Sequence, residues 1–221
     1  LTRMVLSNAL YFNGNWAQAF NPDATRPQTF SLADGSAREV AMMRAKRRVA
    51  GTNDGEIVAA LLPYAGERLA MLLLTSAVDE PLDVLEEQLD AELLREVLAG
   101  LTIEESQLVL PTWEGRTPTD LKVLLRAMGV QDAFDIDRAD FSGMTGARDL
   151  YISSAFHEAY ILVNESGTEA AAASAAVMTL RSAPLPSAPP RELIFDRPFV
   201  YMILDQQTGT ILFLGRLSEP Q

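Results

Sequence analysis

The sequence predicts a mixed α and β fold, and three observations carry that expectation. Residues 4–12, Met-Val-Leu-Ser-Asn-Ala-Leu-Tyr-Phe, read as a buried strand, and 150–163 alternate well enough to form a long one. Residues 57–62 and 69–74 are short apolar runs flanking Pro63-Tyr64-Ala65-Gly66-Glu67, the pattern of two core strands joined by a turn. Residues 82–99 instead set Leu82, Leu85, Leu89, Leu93, Leu94, Val97 and Leu98 in one stripe among acids and Arg95, which predicts a helix over the whole span.

The remaining elements follow in order. Asn13-Gly14 marks a turn, and 27–48 hold polar extended segments broken at Asp34-Gly35. Gly100 stops the helix. Leu108-Val109-Leu110 is a strand ended by Pro111, and 120–128 is a short helix closed by Gly129. Residues 183–190, with four prolines, form a loop; 199–204 and 211–217 are strands around Gln206-Gln207-Thr208-Gly209. There is no internal repeat.

With 221 residues, 48% of them hydrophobic, the chain can bury a sizeable core as one domain or two small ones. A net charge of −12 argues against nucleic-acid or anionic-membrane partners, which require a basic face. There is no cysteine and hence no disulfide framework. No run of about 18 uncharged apolar residues occurs, so no membrane span is expected. The opening Leu1-Thr2-Arg3-Met4 carries no signal-peptide pattern and starts within a strand, as a fragment would.

Enzyme chemistry finds little support. A Ser-His-Asp hydrolase would depend on His157, the only histidine, and no Gly-x-Ser-x-Gly elbow is present. Without Cys or a His cluster, neither a metal nor a cofactor is expected. Asp135-x-Asp137-x-x-Asp140 lacks the Gly and terminal Glu of a calcium loop and reads as a solvated acidic turn. Asn164-Glu165-Ser166 fits a glycosylation sequon by chance.

Residues 165–182 are the most informative stretch: Glu-Ser-Gly-Thr-Glu-Ala-Ala-Ala-Ala-Ser-Ala-Ala-Val-Met-Thr-Leu-Arg-Ser. Read with period two, one face carries Thr168, Ala170, Ala172, Ser174, Ala176, Met178 and Leu180, small and then apolar. The other face holds both charges, Glu169 and Arg181. Such a strand fits between two others. On residue pattern alone the alanine run reads better as a helix capped by Ser166 or Thr168.

Separated segments resemble the serpin family in order. Ser7 to Trp16 is similar to its "NAxYFKGxW" signature; Phe20, Phe30 and Met42-Met43 follow at the expected intervals. Leu110-Pro111, Asp120-Leu121, Leu125 to Gly129 and Phe134 resemble "LPxF…DLxxxLxxLGxxxxF", and Phe141-Ser142-Gly143 resembles "DFSG". Residues 156–172 resemble "xHKAxxxVxExGTEAAA"; Asp196-Arg197-Pro198-Phe199 and 212–216 resemble "xRPFxFxI…LFxGRVxxP". The resemblance covers essentially all 221 residues, and only the C-terminal part of such a protein; the family's N-terminal helical region is missing from the chain. It implies an α+β serpin fold, multi-sheet mixed α/β with an exposed reactive-centre loop, as one domain over 1–221 with the hinge and loop at 165–190. It also reverses the helix reading of the alanine run.

The resemblance implies a serine-protease inhibitor that works as a suicide substrate and is not itself an enzyme. Glu165, Gly167, Thr168, Glu169, Ala170, Ala171 and Ala172 would be the hinge. The family's usual spacing from Glu165 places the cut at Arg181–Ser182, which suits a trypsin-like protease whose pocket carboxylate pairs with an Arg fork. Leu180 or Leu185 at the cut would redirect specificity to chymotrypsin-like enzymes. Asn8 and His157 match the family's shutter, Trp16 and Glu165 its breach. Thr112 stands where the family commonly has a basic residue able to pair with the hinge Glu. A monomer when full length, and a secreted or extracellular location, are what the family implies. The alternative is a non-inhibitory serpin-fold binding or carrier protein. The hinge carries no proline, large or charged residue on its inward face from Thr168 to Ala176, which favours inhibition.

Overall fold

The computed structural model describes residues 4–76, 80–168 and 189–220. Along the chain the strands are β1 (Met4–Tyr11), β2 (Gly14–Asn15), β3 (Arg26–Ser31), β4 (Ala37–Asn53), β5 (Ile57–Pro63), β6 (Leu69–Ser76), β7 (Thr102–Pro111), β8 (Trp113–Asp120), β9 (Ile152–Asn164), β10 (Gly167–Thr168), β11 (Arg191–Ile194), β12 (Phe199–Asp205) and β13 (Ile211–Leu217). The helices are α1 (Leu82–Gln88), α2 (Ala91–Gly100), α3 (Leu121–Ala127) and α4 (Ser142–Thr145). These elements divide between two compact units, Leu1–Phe12 with Gly115–Ile161, and Asn13–Glu114 with Leu162–Gln221.

The larger unit is built on a sheet of order β11-β7-β4-β5-β6-β12-β13, with β3 also on β4. Its central strands are apolar on both faces. In β6 every residue from Ala70 to Ser76 is buried, as expected of a strand covered on each side. The turn foreseen at 63–67 joins β5 to β6 antiparallel, Leu61 facing Leu72. Helices α1 and α2 lay Leu82, Leu85 and Val97 on a cluster with Ala59, Leu72, Leu74, Val200 and Met202. Trp113, 1% exposed, meets Phe199 edge-on with ring centroids 5.4 Å apart.

The helix expected over 82–99 is two helices. Asp90 is extended and its carboxylate accepts from the backbone N–H groups of Glu92 and Leu93, both at 2.8 Å, so it caps α2 and ends the α1 run. A leucine stripe continuous in sequence thus bends at one capping residue. Strand β7 starts at Thr102, well before Leu108: its polar first half, which hides it from an apolar pattern, pairs with Arg47 to Gly51 of β4. Strands β8 and β11 were not foreseen; Gly115 and Pro118 disguise the first, and the prolines before Arg191 the second.

In the smaller unit β1 runs parallel to β9, with Asn8 opposite His157 and Tyr11 opposite Tyr160. β1 is a strand as expected, but it is not buried: Val5, Leu6, Leu10 and Tyr11 are exposed. Strand β9 pairs with one edge of its backbone, yet the described residues lay no second layer over its faces, and it is layering that buries side chains. Helix α3 starts at the Asp120 cap, which accepts from Lys122 N–H at 2.9 Å, and Lys122 Nζ donates to the Ser153 carbonyl on β9 at 2.8 Å.

Candidate functional site

The site is assembled at the end of β9. The Asn164 side-chain oxygen accepts from the backbone N–H of Ser166 at 3.0 Å and of Gly167 at 3.3 Å, a local turn that reverses the chain. Gly167 and Thr168 therefore return as β10, antiparallel to β9 on one side, where Thr168 faces Val163, and to β2 on the other, where Thr168 faces Gly14. Gly167 has φ +149°, and a Cβ there would sit 2.2 Å from the Gly14 carbonyl oxygen. Only glycine lets the two backbones approach so closely.

Trp16, the residue after β2, holds the turn. Its backbone N–H donates to the Ser166 carbonyl at 3.0 Å and its indole N–H to the Asn164 carbonyl at 2.9 Å. Phe20 N–H donates to the Glu165 carbonyl at 2.8 Å. Trp16 and Glu165 thus meet at one turn, in which Trp16 and Phe20 donate to the successive carbonyls of Asn164, Glu165 and Ser166. The Arg47 guanidinium lies 4.5 Å from the Phe20 ring centroid. Burial pulls it down to about 10, so it stays charged near neutrality.

The Glu165 carboxylate accepts from the Thr25 hydroxyl at 2.6 Å, and it makes no ion pair among the described residues. Thr112 spends its backbone N–H on the Ala41 carbonyl. A neutral hydroxyl on a neighbouring loop therefore holds the carboxylate.

Thr168 is fully buried, and its hydroxyl lies 2.8 Å from the Tyr64 hydroxyl. The Tyr64 ring stacks on Trp16 at 4.7 Å and 12°. Burial pushes the Tyr64 phenol well above its ordinary value, so it is protonated and able to donate. In the sequence Tyr64 reads as a turn residue. A tyrosine beside a proline between two fully apolar strands was the available signal, since buried tyrosines seek a hydroxyl partner.

Asn8 and His157 are brought together on the β1–β9 pair. The Asn8 side-chain oxygen lies 2.8 Å from His157 Nδ1, which carries the proton if the amide oxygen accepts. Ser7, Pro118, Asp120 and Phe156 line a depression around them. The carboxylate of Asp135 accepts from the N–H groups of Asp137 and Arg138, so the acidic stretch is a self-capped turn. Glu169, Ala170, Ala171, Ala172, Arg181 and Ser182, and loop residues 183–188, lie outside the described residues.

The family model for serpins, serine protease inhibitors, matches residues 1–220. The chain belongs to the serpin family. It is 39% identical over 226 residues to plasminogen activator inhibitor 1 of Bos taurus, covering 100% of this chain and 55% of that protein. It is 34% identical to neuroserpin of Gallus gallus, at 100% and 55%, and 37% identical to leukocyte elastase inhibitor of Equus caballus, at 100% and 59%. Among solved structures, native protease nexin-1 with heparin superposes with a TM-score of 0.84 at 32% identity, covering 100% of this chain and 58% of that one. A serpin of Tenebrio molitor superposes with a TM-score of 0.80 at 29% identity, at 100% and 57%. The serpin chain thus spans a little over half the length of the relatives it matches. Its fold is the serpin fold, mixed α and β with several sheets.

Proposed function

We propose that the protein inhibits a trypsin-like serine protease by suicide trapping, with Arg181–Ser182 as the bait bond. The observation that carries the reading is β10. Residues 167–168, directly before the bait segment, already sit as a two-residue strand hydrogen-bonded to strands on both sides. A segment with small residues on its inward face can continue that ladder, residue by residue, from Thr168. Homologues named as protease inhibitors, among them plasminogen activator inhibitor 1 and leukocyte elastase inhibitor, support the inhibitor class.

In the proposed reaction the protease serine Oγ attacks the Arg181 carbonyl. The bond to the Ser182 nitrogen breaks, the protease serine's proton passes to that leaving amine, and Arg181 remains as an ester on the protease. The freed loop then inserts and carries the protease away, distorting its active site before water resolves the ester. Energy comes from a metastable fold behind a kinetic barrier. Insertion requires β1 and β9 to part, so Asn8 and His157 act as a shutter whose hydrogen bond must open. Trp16 and Glu165 hold the breach, and residues 165–172 are the hinge. A secreted or extracellular place of action and a monomeric full-length protein complete the reading.

The test mixes full-length protein with trypsin on a denaturing gel. A heat- and detergent-stable complex that disappears in Arg181→Ala is expected. Plain cleavage without complex sinks the reading. In Thr168→Arg, whose side chain cannot enter the fully buried position at β10, inhibitor becomes substrate.

A further inference from the structure

Arg47, on β4, is half-buried and makes no ion pair among the described residues. Its Nη1 donates to the Gln18 carbonyl, and its guanidinium lies 4.5 Å from the Phe20 ring centroid. Both contacts fall on one short strap, residues 16–20. That strap grips the turn at the end of β9: Trp16 N–H donates to the Ser166 carbonyl at 3.0 Å and Phe20 N–H to the Glu165 carbonyl at 2.8 Å. Its ends are the buried rings of Trp16 and Phe20, whereas Ala17, Gln18 and Ala19 between them are exposed. Packing therefore does not fix the middle of the strap. Two hydrogen bonds do, one from Ala17 N–H to the Pro63 carbonyl at 2.9 Å and one from Arg47 to the Gln18 carbonyl.

We propose that Arg47 is a positioning residue for loop insertion, holding strap 16–20 in the place from which it seats the hinge turn and β10. The proposal rests on the reading of that turn as the start of the inserting strand. A charge taken out of water is costly unless it is compensated. Here the compensation among the described residues is one carbonyl and one aromatic face, and both belong to the strap. Displacing the strap leaves a half-buried cation without partners, so the cation resists the displacement. A neutral side chain of similar length fills the space and exerts no such restraint. With a loose strap the Glu165 and Ser166 carbonyls lose fixed donors, β10 unseats more often, and the loop enters the sheet later. The protease then has longer to complete hydrolysis.

The experiment compares full-length wild type, Arg47→Lys and Arg47→Met. Methionine keeps an unbranched apolar stem and removes the charge and the donors; lysine keeps a cation for the Phe20 ring. Hydrogen exchange of the peptide spanning 162–168 is expected to be roughly 3- to 30-fold faster in Arg47→Met, and within about threefold of wild type in Arg47→Lys. Exchange in β12, Phe199–Asp205, stays unchanged. With trypsin, the ratio of cleaved chain to stable complex is expected to rise about two- to tenfold in Arg47→Met and to return towards wild type in Arg47→Lys. A merely structural role would speed exchange in β12 as well, with lysine no better than methionine. Hinge exchange indifferent to Arg47→Met, equal acceleration in β12, no rescue by lysine, or a cleaved-to-complex ratio that does not move overturns the proposal. The exchange arm needs no protease: absence of a complex from wild type refutes the inhibitor reading, and an indifferent hinge refutes the role of Arg47.

Discussion

Tyr64 and Thr168 close a buried hydroxyl pair at 2.8 Å, 104 residues apart in sequence. It joins the turn between β5 and β6 to the first residue of the segment that the proposed mechanism moves. The stacked Trp16 ring makes this pair part of the same grip that holds Asn164 and Ser166.

Tyr64→Phe leaves the Thr168 hydroxyl buried without this partner, a loss of about 1–3 kcal/mol. Hydrogen exchange of the peptide spanning 162–168 is expected to speed up roughly 5- to 100-fold. Unchanged exchange would show that pairing with β2 and β9 alone seats β10.

Gly167→Ala places a methyl group 2.2 Å from the Gly14 carbonyl oxygen at φ +149°. Strain of about 1–3 kcal/mol at this position is expected to unseat β10. With trypsin, the variant yields more cleaved chain and less stable complex than wild type; an undiminished share of complex contradicts this.

Asn8 and His157 are testable by a double-mutant cycle. Each alanine substitution removes the 2.8 Å bond. Denaturant unfolding of both singles and the double should give a coupling of about 0.5–1.5 kcal/mol. Zero coupling would mean that the two side chains act independently.

Asp205 supplies the pH dependence. Hydrogen bonding from Arg68, first, and from the N–H groups of Gln207 and Thr208 holds its carboxyl below the usual value of 3.8 in the folded protein. A depressed folded pKa means stabilisation that is fully present above the unfolded value and is lost as pH falls through the folded one. Asp205→Asn should therefore melt below wild type at neutral pH, with the gap closing in acid below the ordinary carboxylate range. A gap independent of pH would assign the effect to turn geometry alone.

Much of the site was legible because its parts are local or lie in short motifs. Gly167 and Thr168 follow Glu165 in one run, and Asn8 and Trp16 lie in another. Tyr64 carried only an indirect signal, its place beside Pro63 between two apolar runs, which hints at burial and names no partner; Thr25 was not legible, since nothing in its own neighbourhood distinguishes it from an ordinary loop threonine. The leucine stripe at 82–99 misled for a related reason: periodicity records which face is apolar and is silent about a cap such as Asp90 in its middle.

The sequence by itself determined the element types of the long strands, the family, and the small-residue face of the segment from Thr168 onward, because hydrophobic period and ordered motifs are properties of the chain alone. Only the tertiary structure decided which groups meet: Tyr64 with Thr168, Thr25 with Glu165, Arg47 with Phe20. It also decided that β1 is exposed despite its apolar run. Contacts between distant residues depend on strand order and register, which one-dimensional pattern does not encode.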